Sequence, residues 1–201
     1  TVSISSNPIW YQIKNAQTDS RLDRFIAYEA GEIPAGYTGN LRIEKPVDFS
    51  DKFLWRLEST SDGMVKIINK GTEKQLYATN DNNNEPISVS DNGSNFFITP
   101  SGNANGSFSI QWNKKSNRML NGGLQFSLLL YDGGLGTGSG WYFYRVPASI
   151  FSTSKTQKVS DAKIYVKNKQ LSKIFQEENE DANRIQMVYL IESMYISALE
   201  K

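Results

Sequence analysis

The chain of 201 residues contains neither cysteine nor histidine. Without cysteine it has no disulfide, no thiol nucleophile and no thiolate ligand for a metal. Without histidine it has no imidazole metal ligand, no Ser–His–Asp triad and no histidine general base. Catalysis would have to run on carboxylates, lysine or tyrosine alone. The composition therefore predicts a protein that is not an enzyme and that holds no metal and no cofactor.

An excess of charge of one sign is also missing. The chain has 22 Lys and Arg against 21 Asp and Glu, for a formal net charge of +1. The balance holds on both sides of Pro147, with 14 basic and 14 acidic residues before it and 8 and 7 after it. A phosphate backbone attracts proteins with a basic excess. We therefore expect no nucleic acid partner.

Long apolar runs are absent as well. No window approaches the roughly eighteen apolar residues of a transmembrane helix, so the sequence predicts no membrane span. The chain begins Thr1-Val2-Ser3-Ile4, with no initiator methionine and no signal peptide. This beginning is typical of a mature or trimmed form and is compatible with secretion.

Glycine and proline are missing from the last part of the chain. All 15 glycines lie at or before Gly140, all six prolines lie at or before Pro147, and the last 54 residues have neither. Because these residues mark turns, turn-rich architecture should end near residue 147. The sequence predicts a β-rich domain over 1–147, a polar linker over 148–160 and a different segment over 161–201.

The first domain contains an internal repeat and many of the chain's 24 aromatic residues. Residues 10–15 (WYQIKN) recur at an offset of 54 in residues 65–69 (VKIIN), and residues 108–113 (FSIQWN) follow at a further offset of 44. Each run is followed by a polar turn and a leucine, at Leu22, Leu76 and Leu120. The ten extra residues of the first copy are predicted to form an inserted loop at residues 31–40 (GEIPAGYTGN).

Each copy closes on an aromatic strand, around Trp55, Phe96 and Trp141. Three short-stranded units of about 45 residues do not form a helical solenoid, and a β-propeller needs at least four blades. Three β units that close around one axis remove strand edges and bring the aromatics into one core. The sequence therefore predicts an all-β fold, a β-trefoil with six barrel strands and a cap of six hairpin strands.

Over residues 8–147 the repeats resemble those of ricin-type β-trefoil lectins. The shared features are Ile-x-Asn, a turn, Leu with a polar residue, and the closing aromatic; Phe53 replaces the glutamine of the usual Gln-x-Trp ending. The resemblance implies a lectin-like module of a secreted or cell-surface protein, which binds glycans weakly through shallow pockets. It also implies a catalytic domain or surface protein as a partner in a larger assembly.

The resemblance also implies the residues of a sugar site. In such repeats a polar residue follows the leucine of the second strand, and an aromatic lies about ten residues later. The most complete set is Asn121, Tyr131 and Asp132 in the third repeat. A carboxylate or amide accepts from sugar hydroxyls, and an aromatic ring packs under the apolar face of the sugar.

The other two repeats have less complete sets of candidate sugar-binding residues. The first has Asp23 after Leu22, with Tyr37 of the inserted loop in place of the hairpin aromatic, and the second has Tyr77 and the run Asn80–Asn84. An Asp or Asn directly after a strand is also a common turn residue that bonds its own backbone. A structural role for these residues therefore stays open.

Two interpretations of residues 161–201 also stay open. Residues 161–171 (DAKIYVKNKQL) and 183–190 (NRIQMVYL) resemble the opening of the C-terminal sorting domains that Bacteroidetes use for secretion, although Glu192-Ser193 replaces the usual glycine. Residues 177–201 have no helix breaker, and apolar residues at 187, 191, 194 and 198 are typical of one helical face.

Three functions compete. The first is glycan binding, and the second is protein contact by a trefoil, with residues 31–40 as the contact loop. The third, glycoside hydrolysis by carboxylates alone, requires two carboxylates about 5–10 Å apart. No sequence feature indicates such a pair.

Overall fold

A computed structural model describes residues 8–132 and 136–151. The chain divides after Tyr144 into two units, and only residues 145–151 of the second unit, Arg145–Lys201, are described. The predicted segment 161–201 therefore lies outside the described residues. Within the described ranges the chain forms twelve β-strands, three short 3-10 helices and no α-helix, which confirms the all-β prediction.

Each repeat contributes four strands. The first repeat has β1 (Trp10–Asn15), β2 (Phe25–Tyr28), β3 (Leu41–Glu44) and β4 (Trp55–Ser59). The second has β5 (Val65–Asn69), β6 (Gln75–Tyr77), β7 (Ser88–Ser90) and β8 (Phe97–Pro100). The third has β9 (Phe108–Gln111), β10 (Arg118–Gly122), β11 (Leu128–Asp132) and β12 (Trp141–Val146). The 3-10 helices are Asp51–Phe53, Thr137–Ser139 and Ala148–Phe151.

The first and fourth strands of the three repeats form a closed barrel. Antiparallel pairs join β1 to β4, β4 to β5, β8 to β9 and β9 to β12, and β12 lies beside β1. The last junction is an antiparallel bridge between Val65 of β5 and Phe96, the residue before β8. Every barrel strand therefore has a neighbour on both sides, which removes exposed edges.

The second and third strands of each repeat form a hairpin, and the three hairpins are β2–β3, β6–β7 and β10–β11. The hairpins bond to one another across repeats. The Ile43 N–H donates to the Phe126 carbonyl at 2.8 Å, and the Ile87 N–H donates to the Leu128 carbonyl at 3.1 Å. A six-stranded barrel with a cap of three hairpins is the β-trefoil that the sequence predicts.

Each repeat supplies three fully buried side chains to one core. They are an isoleucine of the first strand, an aliphatic residue of the second, and an aromatic at the start of the fourth strand or directly before it. The three sets are Ile13, Ile67 and Ile110; Ile26, Leu76 and Leu120; and Trp55, Phe96 and Trp141. Burying one such aliphatic side chain stabilises the fold by about 1.5–3 kcal/mol. The prediction that the closing aromatics form the core is confirmed.

The strand register corrects the predicted spacing between the first strands of the three repeats. Tyr11, Val65 and Phe108 each pair with the closing aromatic of their own repeat, so these three residues are equivalent. The first strands are therefore 54 and 43 residues apart, rather than 54 and 44. Leu76 and Leu120 keep the predicted spacing, because the turn of the third repeat has one more residue than that of the second.

The predicted alignment of Leu22 with Leu120 is wrong. The indole N–H of Trp55 donates to the Ile26 carbonyl at 2.9 Å, and the indole N–H of Trp141 donates to the Leu120 carbonyl at 2.9 Å. Ile26 is therefore the first-repeat counterpart of Leu120. Leu22 is half-buried and lies in the turn before β2.

The extra length of the first repeat is not confined to residues 31–40, as the sequence predicted. The β1–β2 connection covers residues 16–24, against 70–74 in the second repeat, and the β3–β4 connection covers 45–54, against 91–96. The hairpin loop that contains residues 31–40 exceeds its second-repeat counterpart by only two residues. The extra residues are thus spread over all three connections.

The repeated asparagine of Ile-x-Asn shapes the turn after the first strand. The Oδ1 atom of Asn15 accepts from the Gln17 N–H, and that of Asn69 accepts from the Gly71 N–H, both at 3.1 Å. The buried Nδ2 of Asn15 also donates to the Gly138 carbonyl at 2.9 Å. This side chain therefore makes an Asx-turn and ties the first repeat to the third.

Candidate functional site

The β10–β11 hairpin carries the three residues predicted as the most complete sugar site. Its register pairs Met119 with Tyr131, and Asn121 lies two residues beyond Met119. Paired residues share a face and successive residues alternate between faces, so Asn121 and Tyr131 lie diagonally on one face. Asp132 lies on the opposite face, paired with Arg118. The hairpin thus brings two of the three side chains to one face and separates the third.

Asn121 is enclosed by the turn before β12. Only 9% of the residue is exposed, and its Nδ2 donates to the Ser139 hydroxyl at 2.9 Å. A Cβ atom at Gly138 would come within 2.9 Å of the same Nδ2, so a larger residue there would force this amide to shift. The side chain of Asn121 is therefore a buried link between β10 and this turn.

Tyr131 lies on the outer side of its hairpin. Its residue is 38% exposed, whereas Leu130, on the opposite face, is fully buried. Met119 pairs with Tyr131 on one side and with Gln111 of β9 on the other. We call Gln111, Met119 and Tyr131 the Tyr131 face. Because opposed Cβ atoms are about 4.5–5.5 Å apart, this row spans about 10 Å.

Asp132 is held by polar groups of two repeats. The Nη1 atom of Arg118 lies 2.5 Å from its carboxylate, and the Nδ2 atom of Asn117 donates to that carboxylate at 2.9 Å. The backbone N–H of Asp132 donates to Asn83 Oδ1 at 2.8 Å. The side chain is 56% exposed, so the ion pair itself adds little stability. Together these contacts hold the end of β11, which carries Tyr131.

The run Asn80–Asn84 packs against the same hairpin. The Asn84 N–H donates to the Leu130 carbonyl at 2.8 Å, and the Ser116 hydroxyl donates to the Asp81 carboxylate at 2.5 Å. The run is therefore an exposed contact between the second and third repeats. In residues 8–132 and 136–151 no three acidic side chains are grouped so as to hold a metal ion.

Asp23 and Tyr37, the predicted ligands of the first repeat, are both engaged within the fold. Asp23 has a φ of 57° in the turn before β2 and pairs with Lys14 at 2.8 Å. The Tyr37 hydroxyl accepts from Arg24 Nη1 at 3.3 Å, and its ring lies 6.0 Å from the Phe126 ring. Asp23 precedes the second strand, so it does not occupy the predicted polar position after that strand.

That polar position in the first repeat is Ala27, the counterpart of Asn121. Ala27 packs with Phe25 and Phe53 in a small buried cluster. Phe53 in turn occupies the place that Ser139 has in the third repeat, two residues before the closing tryptophan. The polar pair of the third repeat is therefore an apolar pair in the first, and these two side chains cannot bond to a sugar hydroxyl.

A polar network joins the first and third repeats next to Asn121. The guanidinium of Arg21 bonds both carboxylate oxygens of Asp19, at 2.5 and 3.0 Å, and donates to the Gly122 carbonyl at 2.8 Å. The hydrogen bonds from Arg21 lower the pKa of Asp19 to about 2. This network closes the junction between the first and the last repeat.

A groove with a volume of about 510 Å³ lies between the first and second repeats. We call it the Tyr28 groove, after a wall that includes Tyr28, Glu29, Asp48, Asp51, Lys52 and Thr72. The Lys52 ammonium lies 2.6 Å from Glu44 and 3.4 Å from Glu29. Burial lowers the pKa of Lys52, but the hydrogen bonds and charges of these two carboxylates outweigh burial and raise it. Sequence reasoning missed this groove, because its wall comes from β2 and three separate connections.

The closed barrel, the three hairpins and the threefold core define a β-trefoil, and solved structures have the same fold. The Rhizoctonia solani agglutinin matches 71% of this chain and 98% of its own, with a TM-score of 0.56 and 19% identity. The ricin B-like lectin of Macrolepiota procera, solved with lactose, matches 71% and 98%, with a TM-score of 0.56 and 11% identity. The designed threefold-symmetric protein ThreeFoil matches 67% and 96%, with a TM-score of 0.54 and 14% identity.

These likenesses establish the fold. No protein-family model matches the sequence, and no curated protein matches it. Within the described ranges, no helix has the length and apolar character of a membrane-crossing segment.

Proposed function

We propose that the chain is a carbohydrate-binding module that binds oligosaccharides at the Tyr131 face. The observation that carries the proposal is Tyr131, an aromatic residue that is 38% exposed on the outer face of a β-trefoil hairpin. Proteins of the same fold include an agglutinin and a lectin solved with lactose. The chain has no histidine and no cysteine, so we propose binding without catalysis.

The Tyr131 face offers both kinds of group that a sugar ring needs. An aromatic ring packs against the apolar C–H face of a sugar, and an amide can both donate to hydroxyls and accept from them. The amide of Gln111 also donates to the Ser116 carbonyl, which restricts its orientation. In this proposal Asp132 acts by holding the strand that carries Tyr131, and Asn121 by holding β10.

One shallow site of this kind binds weakly. A millimolar dissociation constant corresponds to only about 4 kcal/mol. Useful binding then requires several sites or tethering to another domain, which raises the effective concentration. The proposal therefore includes an extracellular or cell-surface location and a catalytic domain or surface protein as partner.

A glycan array followed by calorimetry on the full chain tests the proposal. We expect a weakly bound oligosaccharide, and Tyr131→Ala should lower its affinity at least tenfold while Tyr131→Phe retains most of it. Phe108→Ala is the matched control, because Phe108 is also 38% exposed and does not belong to the Tyr131 face. Far-UV circular dichroism checks that each variant folds. If no glycan binds, the function is wrong; if Tyr131→Ala binds like the wild type, the site lies elsewhere.

A second candidate function is protein contact by the loop at residues 31–40. The observation that favours it is Ile33, which is 53% exposed at this loop. This alternative predicts no binding on the glycan array. It also predicts that Ile33→Ser weakens the association with a protein partner.

A further inference from the structure

The Tyr28 groove has the size and the mixed wall of a ligand site. Its volume of about 510 Å³ falls within the range of about 300–1,000 Å³ that is usual for small-molecule pockets. Tyr28 places a half-buried aromatic ring in the wall. The hydroxyl of Ser50, also in the wall, has no hydrogen-bond partner among the described residues. Buried polar atoms without a partner are uncommon in native folds. A ligand in the groove can supply the hydrogen-bond partner that the Ser50 hydroxyl lacks.

Acceptors outnumber cations along this wall. Glu29, Asp48 and Asp51 are its carboxylates, and Lys52 is the one basic residue among those that line it. The Lys52 ammonium is already bound by Glu44 at 2.6 Å, outside the wall, and by Glu29 at 3.4 Å. The lysine therefore neutralises carboxylates of the protein and offers little attraction to an anionic ligand.

Asp48 and Glu29 are the wall carboxylates that the protein holds least closely. The side chain of Glu29 is 58% exposed, and its ion pairs, with Arg42 at 3.6 Å and with Lys52 at 3.4 Å, both use its Oε2 atom. Within the part of the chain that the structure describes, Asp48 has no ion-pair partner, and its Oδ1 atom accepts only the Ser50 N–H at 2.9 Å. Asp51 is held more closely, by Lys70 at 2.5 Å.

The chemistry of the wall selects a ligand that brings donors. Carboxylates only accept hydrogen bonds, and they repel sialic acids and phosphates. An ammonium donor forms a charge-assisted hydrogen bond, about twice as strong as a neutral one. A saturated sugar ring also packs its C–H face on an aromatic side chain.

We propose that the Tyr28 groove binds an amino sugar with a free amine, with Asp48 and Glu29 accepting from its ammonium and Tyr28 against its ring. This site is separate from the Tyr131 face. It rests on the proposed glycan-binding function only for the general class of ligand, and its residues are different.

Calorimetry on the full chain with a glucosamine trisaccharide and its fully N-acetylated counterpart tests the proposal. N-acetylation removes the cation and keeps the rings, so we expect the free amine to bind at least tenfold more tightly. Asp48→Asn and Glu29→Gln should each weaken binding of the free amine at least fivefold. The amide oxygen of Asp48→Asn can still accept the Ser50 N–H, so this variant preserves the local fold. Asp91→Asn, the same charge change outside the groove, should have no effect.

The outcomes also separate this proposal from the proposed function. Tyr131→Ala should leave glucosamine binding unchanged, because the Tyr131 face is a different site. Equal affinity for the two trisaccharides overturns the proposal, and so does an equal loss in Asp48→Asn and Asp91→Asn. Glucosamine binding that survives Asp48→Asn but is lost in Tyr131→Ala assigns it to the Tyr131 face and overturns the groove site.

Discussion

Replacing Trp55 by phenylalanine should destabilise the fold by about 2–4 kcal/mol. The indole Nε1 of Trp55 donates to the carbonyl of Ile26 at 2.9 Å, and both residues are fully buried. Removing this donor leaves a buried carbonyl without its partner, which costs about 1–3 kcal/mol. The smaller ring also leaves a void of roughly 40 Å³, which costs about 1 kcal/mol more at about 24 cal/mol per Å³.

The second repeat shows how a phenylalanine is accommodated at the same place. There Phe96 lacks an N–H on its ring, and the backbone N–H of Ser94 donates to the Leu76 carbonyl at 2.9 Å instead. The first-repeat residue in the place of Ser94 is Phe53, whose N–H is committed to the Ser50 carbonyl at 3.0 Å. No substitute donor is therefore at hand in the first repeat.

Urea unfolding followed by far-UV circular dichroism measures the effect, with an unchanged m value showing that the same transition is compared. Trp112→Phe is the control, because Trp112 is half-buried and its loss should cost less than about 1 kcal/mol. The reasoning is refuted if Trp55→Phe lies within about 0.5 kcal/mol of the wild type, or if the two variants lose the same stability.

Three further predictions concern stability. Phe53→Gln restores the usual Gln-x-Trp ending but places an amide in an apolar cluster, so thermal unfolding should show a loss of about 1–3 kcal/mol. Asn121→Ala leaves the Ser139 hydroxyl without its donor, so urea unfolding should show a loss of about 1–3 kcal/mol. The pKa of Asp19 is lowered to about 2 by Arg21, so its stabilisation is present above about pH 4 and is lost as the pH falls towards 2. Asp19→Asn should flatten the stability curve in that window, and an unchanged slope would contradict the pairing.

The trefoil could be predicted because its repeat is tied to buried positions. The isoleucine of the first strand and the closing aromatic are fully buried in every repeat, so the repeat can be recognised from their spacing in the sequence. In the first two repeats the asparagine makes the same turn, with Oδ1 accepting the N–H two residues on. Where connections differ in length, spacing alone misleads, as the alignment of Leu22 shows.

The sites could be predicted only in part, because strand register and faces are set by the fold. Tyr131 and Asp132 are adjacent in sequence, yet successive residues of a strand point to opposite faces. Gln111 joins the Tyr131 face through its pairing with Met119, which no local motif encodes. The wall of the Tyr28 groove likewise assembles from distant segments.

The most direct test of the central claim is a crystal of the full chain soaked with a mixed set of mono- and disaccharides. We predict that a sugar ring packs on Tyr131, with a hydroxyl within hydrogen-bond distance of the Gln111 amide. A sugar bound elsewhere while the Tyr131 face stays empty would contradict the proposed site. Crystals that bind no sugar at all would contradict the proposed function.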